Sequence, residues 1–108
     1  MFVRQTAAEY RGDSRIAGID APYGKMVTAL GEPHKSDDAD YPDDGYKTDV
    51  CWSVRSAENP AYIVTFWNYK NGPNYNDGEG AIEEIDHFSV FYTNAEFYER
   101  VKALIEAT

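Results

Sequence analysis

The chain has 108 residues, 43% of them hydrophobic and 15% aromatic, which is typical of one folded domain rather than of a disordered segment. Nineteen acidic residues against ten basic ones give a net charge of −9, which argues against a nucleic-acid backbone as the main binding partner. The single cysteine, Cys51, excludes an internal disulfide and a cysteine-based zinc site.

Neither an export signal nor a membrane span is indicated. The first ten residues lack the apolar core of a signal peptide, and no apolar run approaches the roughly 20 residues that cross a bilayer. We therefore expect a protein of the cytoplasm, without a membrane partner.

The N-terminal third of the chain contains one well-signalled element. Residues 1–20 are expected to be an irregular segment, although Phe2–Gln5 favours a short strand. A helix follows over residues 22–30, with Asp20 as its cap and Gly31 at its end. Its apolar positions recur at helical spacing and predict a buried stripe: Tyr23, Met26, Val27 and Leu30.

A strongly acidic loop comes next. Five carboxylates lie within eight positions: Asp37, Asp38, Asp40, Asp43 and Asp44. Counted from Asp40, a calcium-binding EF-hand loop would place Pro42 at its third position and Cys51 at its twelfth, so that pattern fails. An irregular cation site and a plain solvated loop remain the two interpretations of this segment.

The centre of the chain predicts a β-hairpin with strands over residues 46–55 and 61–70. The first strand alternates, which places one set of side chains on the core: Tyr46, Thr48, Val50, Trp52 and Val54. The second strand is apolar on both faces, as a central strand is. On that strand Trp67 and Tyr69 lie opposite the core face and are candidates for an exposed surface, unless the N-terminal segment, a helix or a dimer partner covers them.

The C-terminal third predicts a long loop, a strand and a helix. The loop spans residues 71–84 and is either functional or disordered, with turns at Asn71-Gly72 and Asp77-Gly78. A strand over residues 86–92 and a helix over residues 94–107 follow. Either a capping box between Thr93 and Glu96 or the side chain of Asn94 begins that helix, and its apolar stripe is Phe97, Val101, Leu104 and Ile105. Together the elements predict a single α+β domain, in which an antiparallel sheet of three to four strands packs against two helices.

Catalytic chemistry is not indicated. His34 and His87 flank the hairpin without a metal-ligand spacing, and Cys51 lacks the basic neighbours of a nucleophilic thiol. No glycine-rich loop has the lysine and following helix that a phosphate site requires. We therefore expect no catalytic residue, no metal, no cofactor and no enzymatic activity.

Three motifs carry a resemblance to a known group of proteins. They are Gly31-Glu32-Pro33, the run Gly45-Tyr46-Lys47-x-Asp49-x-x-Trp52, and Asn68-Tyr69-Lys70-x-Gly72. Over about residues 22–92 this series resembles small accessory proteins encoded by bacteriophages and prophages. The order of helix, GEP motif and tryptophan strand is also similar to the repeat of β-lactamase-inhibitor-like and outer-membrane-assembly lipoproteins, although a lipobox and a second repeat are missing. The resemblance implies an accessory protein in the cytoplasm of a bacterial host, with no catalytic residue carried over.

The first functional hypothesis is a non-enzymatic inhibitor, comparable to anti-CRISPR proteins, of a bacterial defence or nucleic-acid-handling complex. It would imitate DNA and bind a basic protein surface, with no direct binding of nucleic acid. The contacts would be nine carboxylates: Asp37, Asp38, Asp40, Asp43, Asp44, Asp77, Glu79, Glu83 and Glu84.

Two alternatives stay open. The chain could sequester a nucleotide signal, with Trp67 or Tyr75 stacking on the base and Lys70, Arg55 or Arg11 on the phosphates. It could also be a structural or assembly factor of the virion. Whether it forms a homodimer is left open as well.

Overall fold

The computed structural model describes residues 1–5, 15–42 and 45–108. Within these residues it has two α-helices and six strands, which form one compact α+β domain. The strands are β1 (Phe2–Arg4), β2 (Ala17–Asp20), β3 (His34–Lys35), β4 (Val50–Ser56), β5 (Ile63–Trp67) and β6 (His87–Tyr92). The helices are α1 (Tyr23–Leu30) and α2 (Ala95–Glu106), and a short 3₁₀ helix spans Ile82–Glu84.

All pairings among the described strands are antiparallel, in the order β1-β4-β5-β6-β2. One edge of β4 pairs with β5, and the other is shared: β1 pairs with its C-terminal half and β3 with its N-terminal half. The α+β class is therefore confirmed, whereas the expected three to four strands are too few. Of the added strands, β1 agrees with the short strand favoured over Phe2–Gln5, whereas β2 lies in the segment expected to be irregular. Ala17–Asp20 has no strand pattern of its own and is ordered by its ladder with β6.

The hairpin β4–β5 is buried on both faces. Trp52 lies opposite Phe66 on the face toward the helices, and Cys51 lies opposite Trp67 on the other face. Each of these four side chains is at most 1% exposed. Of the two interpretations of Trp67, an exposed or a covered side chain, the structure therefore shows the covered one. The first strand of the hairpin, β4, begins at Val50, later than predicted. Tyr46 therefore lies before this strand and is 59% exposed instead of facing the core.

Both described helices pack against one face of the sheet around Trp52. Its ring contacts the rings of Tyr23 and Phe88, and its indole N–H donates to the carbonyl of Gly31 at 2.8 Å. Gly31 ends α1 with a φ of 90°, as the sequence predicts. Arg4 of β1 donates to the carbonyls of Leu30 and Glu32, so a cation satisfies the last carbonyl of this helix.

The helix starts differ in part from the predictions. Pro22 is at the N-cap of α1, while Asp20 lies in β2 and bonds His87 instead of capping the helix. At α2 the Asn94 alternative is confirmed, since its side chain accepts from the backbone of Phe97 at 2.9 Å. On α2, Tyr98 is buried, whereas Leu104 is 38% exposed.

Candidate partner-binding surface

Two loops meet at one end of the sheet, where β4 begins and β5 ends. The first loop spans residues 36–49 and the second spans residues 71–86. Asn74 of the second loop joins them, because its side-chain amide donates to the Ser36 hydroxyl and to the carbonyls of Gly45 and Thr48. The three distances are between 2.7 and 3.0 Å. We call the described residues of these two loops the acidic end.

A buried carboxylate holds the second loop against the sheet. Asp49 is 4% exposed and accepts from the Asn68 amide at 2.9 Å and from the backbone of Asn74 at 3.1 Å. Asn68 in turn accepts from the backbone N–H groups of Asp49 and Val50. Neutral amide donors thus satisfy both oxygen atoms of this buried side chain.

Gly72 completes the same packing. A Cβ atom at this position would overlap the Asp49 carboxylate and lie 2.8 Å from the Asn68 amide nitrogen. Of the two predicted turns, Asp77-Gly78 has the positive φ values of a tight turn, 55° and 80°. Near Asn71-Gly72 the positive φ of 62° belongs instead to Lys70. Gly72 is therefore needed for close approach to Asp49.

Nearly all of the net charge belongs to these two loops. Residues 36–49 and 71–86 contain eleven of the nineteen acidic residues but one of the ten basic residues, Lys47. Their net charge is therefore −10, while the other eight acidic and nine basic residues almost cancel. Nine of the eleven acidic residues are among those that the structure describes, and because Asn74 ties the loops together, these nine are gathered at one end of the molecule.

The predicted acidic contacts are exposed wherever the structure describes them. The exposed carboxylates are Asp37, Asp38, Asp40, Asp77, Glu79, Glu83 and Glu84. Asp43 and Asp44 lie outside the described residues. Two of the seven also bond the backbone: Asp38 accepts from Lys35, and Glu84 accepts from Ala81. Among the described residues, no group of three or more carboxylate, histidine or cysteine side chains could hold a metal ion.

Three exposed tyrosines lie beside the carboxylates, and we call Tyr46, Tyr69 and Tyr75 the tyrosine cluster. The rings of Tyr46 and Tyr75 meet edge to face with their centroids 5.6 Å apart. The ammonium nitrogen of Lys70 lies 5.3 Å from the ring centroids of both Tyr69 and Tyr75. These distances are within the range of cation–π attraction.

The residues proposed for a nucleotide site are brought together only in part. Lys70 and Tyr75 are in contact, but Trp67 is buried. Arg55 lies on β4 four positions from Cys51, the residue paired with Trp67, and these four positions span roughly 13 Å. Arg11 lies outside the described residues.

The two histidines are separate, as their spacing indicates. His34 bonds the carbonyl of Gln5, and the Nδ1 atom of His87 lies 2.7 Å from the Asp20 carboxylate. The side chains of His87 and Asp20 are 43% and 92% exposed. Cys51 is buried, as a structural thiol is.

Asn68, Asn74 and Tyr46 are the site residues that sequence reasoning missed, whereas Tyr69 and Tyr75 were named as candidates. A signal for the asparagines existed, because three asparagines within residues 71–76 and one at the end of a strand are typical of side chains that bond backbone groups. Their partners are far along the chain, at 18 to 38 positions, so the sequence did not indicate them.

The fold and the surface define an α+β domain with a charged end. No family model, curated protein or solved structure matches the chain. No helix among the described residues has both the length and the apolar character to span a bilayer.

Proposed function

We propose that the chain is a non-enzymatic binding protein whose acidic end attaches to a basic protein surface. The partner is a bacterial defence or nucleic-acid-handling complex, and the chain is a phage-type accessory inhibitor that occupies the groove meant for DNA. One observation supports this most: two loops with a net charge of −10 are tied together at one end, while the rest of the chain is close to neutral.

The physical argument is electrostatic. A surface of concentrated negative charge attracts a basic groove over a distance of several ångströms and speeds encounter. Asn74 and the buried Asp49 restrain the loops, so the carboxylates are presented without a large ordering cost on binding. Exposed charge at the interface also makes the affinity depend on salt.

The test compares two variants with the same change in charge. One replaces Asp37, Asp38 and Asp40 by Asn, and the other replaces Glu32, Glu99 and Glu106, which are also exposed, by Gln. Each is immobilised and exposed to a bacterial lysate at low and high salt, with and without duplex DNA as competitor. We expect the wild type and the second variant to retain a nucleic-acid-handling complex that salt and DNA release, and the first variant to lose it. Equal retention by both variants would contradict the proposal.

A second function is favoured by one observation, the contact of Lys70 with two exposed tyrosine rings. In this alternative the chain sequesters a nucleotide signal, with Tyr75 stacked on the base and Lys70 on a phosphate. Mixing the chain with a cyclic nucleotide would then deplete the nucleotide from solution, and heating the protein would release it. An unchanged concentration of free nucleotide would rule this alternative out.

A further inference from the structure

The position of Lys70 between two tyrosines is specified by its backbone. Its φ of 62° is in the left-handed region, which a lysine adopts at a cost of roughly 1 kcal/mol. The backbone N–H of Lys70 donates to the Lys47 carbonyl at 2.8 Å, and its carbonyl accepts from the Asn76 side chain at 3.3 Å. These bonds hold the start of the Lys70 side chain beside the rings of Tyr69 and Tyr75.

The contact shows what kind of group these rings accept. The Lys70 ammonium lies at the same distance, 5.3 Å, from both ring centroids, and it makes no ion pair among the residues that the structure describes. Tyr69 and Tyr75 are 46% and 37% exposed, so a cation from another molecule can reach them. The surrounding loops add strong negative potential, since Tyr75 lies in the same loop as Asp77 and Glu79.

Arginine fits these features better than other groups. Its guanidinium is planar, stacks on aromatic rings, and is less strongly hydrated than an ammonium, so it loses less on leaving water. A nucleotide phosphate would instead have to approach two loops with a net charge of −10. Charge complementarity therefore favours a protein segment rich in arginine over an anionic ligand.

We infer that the tyrosine cluster is the arginine-docking point of the acidic end, and that Lys70 occupies it in the free protein as an internal substitute. The inference rests on the proposed function, and it names the partner's side chain and the rings that accept it. On binding, the partner's guanidinium displaces the Lys70 ammonium, which moves toward solvent.

Two blocked octapeptides test the inference with the full chain. One alternates arginine with glycine and the other alternates lysine with glycine, so that they carry equal charge. We expect both to bind with an affinity that falls as salt rises, and the arginine peptide to bind about two- to fivefold more tightly. Replacing Tyr75 by Leu should remove that preference while the salt dependence stays, whereas Tyr75→Phe keeps the ring and should keep the preference.

A pair of lysine variants tests the displacement. Lys70→Asn and Lys47→Asn each remove one positive charge from the same region, and asparagine tolerates the left-handed backbone. Only Lys70→Asn vacates the rings, so we expect it to raise the affinity for the arginine peptide about two- to threefold more than Lys47→Asn does.

The outcomes separate the two proposals. Salt-dependent binding of both peptides with equal affinity, unaffected by Tyr75→Leu, would overturn the docking point and leave the acidic end intact. If neither peptide shows salt-dependent binding, both the docking point and the acidic end as a binding surface are overturned. Equal effects of the two lysine variants would overturn the displacement by arginine. The folded state of each variant is checked by its near-ultraviolet circular dichroism.

Discussion

At the scale of single residues, the most constrained position is Gly72. Its backbone passes so close to Asp49 and Asn68 that no side chain fits, and those two residues in turn hold the second loop. A glycine that is required for space, and not for a positive φ, cannot be recognised from the sequence. Asn71-Gly72 therefore looked like an ordinary turn dipeptide.

We predict that Gly72→Ala lowers the free energy of unfolding by about 1–3 kcal/mol, because the new methyl group must displace the Asp49 carboxylate or the backbone. Gly24→Ala is the matched control, since nothing lies within 4 Å of a Cβ atom there and the position is in α1. The control should raise the free energy of unfolding by about 0.5–1 kcal/mol. Urea unfolding measures both. A Gly72→Ala variant as stable as the wild type would contradict the close packing of Gly72 against Asp49.

The second residue-scale prediction concerns the buried carboxylate itself. Asp49→Asn turns one acceptor into a donor facing Asn68 or the backbone of Asn74, so we expect a loss of about 1–3 kcal/mol in the free energy of unfolding. Asp40→Asn makes the same chemical change at an exposed position and should alter stability by less than about 0.5 kcal/mol. Equal stability of the two variants in urea would show that Asp49 does not anchor the loop.

At the scale of elements, the helices, the long strands and β1 could be predicted, but β2 and β3 could not. β4, β6, α1 and α2 have an apolar period of their own and β5 is apolar on both faces, so the sequence predicts each of them within a few residues of its place. β1, β2 and β3 have two to four residues each, too few for a period, and exist because a partner strand offers its free edge. The same limit applies to the site: the carboxylates could be named from the sequence, but their gathering at one end depends on Asn74.

The start of α2 gives the prediction at this scale. Asn94→Ala removes the acceptor for the Phe97 N–H and should lower the free energy of unfolding by about 1 kcal/mol. Asn94→Asp keeps the acceptor and adds a negative charge at the helix N-terminus, so it should retain stability. If Asn94→Ala and Asn94→Asp unfold at the same urea concentration, the cap does not contribute.

At the scale of the whole molecule, alkaline pH is expected to weaken the fold. Burial, followed by the carboxylates of Glu32 and Glu83, raises the pKa of Tyr23, and burial, followed by Glu99, raises the pKa of Tyr98. The neutral phenols are therefore favoured in the folded state. Their contribution is fully present below the ordinary pKa of 10.0 and is lost as the pH rises through the raised folded values.

We predict that the free energy of unfolding falls as the pH rises above about 10, and that the fall is smaller in a Tyr23→Phe/Tyr98→Phe double variant. Urea titrations of both proteins across this pH range measure the difference, and other groups that titrate there affect the two proteins alike. Parallel curves would contradict the raised pKa values of these two tyrosines.

The shared edge of β4 has a consequence for the order in which the chain folds. The hairpin β4–β5 closes over a short turn, whereas Arg4 of β1 pairs with Val54, which is 50 positions away. Closing the longer loop costs more chain entropy, so β1 is expected to dock after the hairpin has formed. Until it docks, the outer edge of the C-terminal half of β4 presents unpaired backbone groups, the kind of template on which chains aggregate. By covering this edge, the short segment that contains β1 is thus expected to protect the protein from association with its own copies.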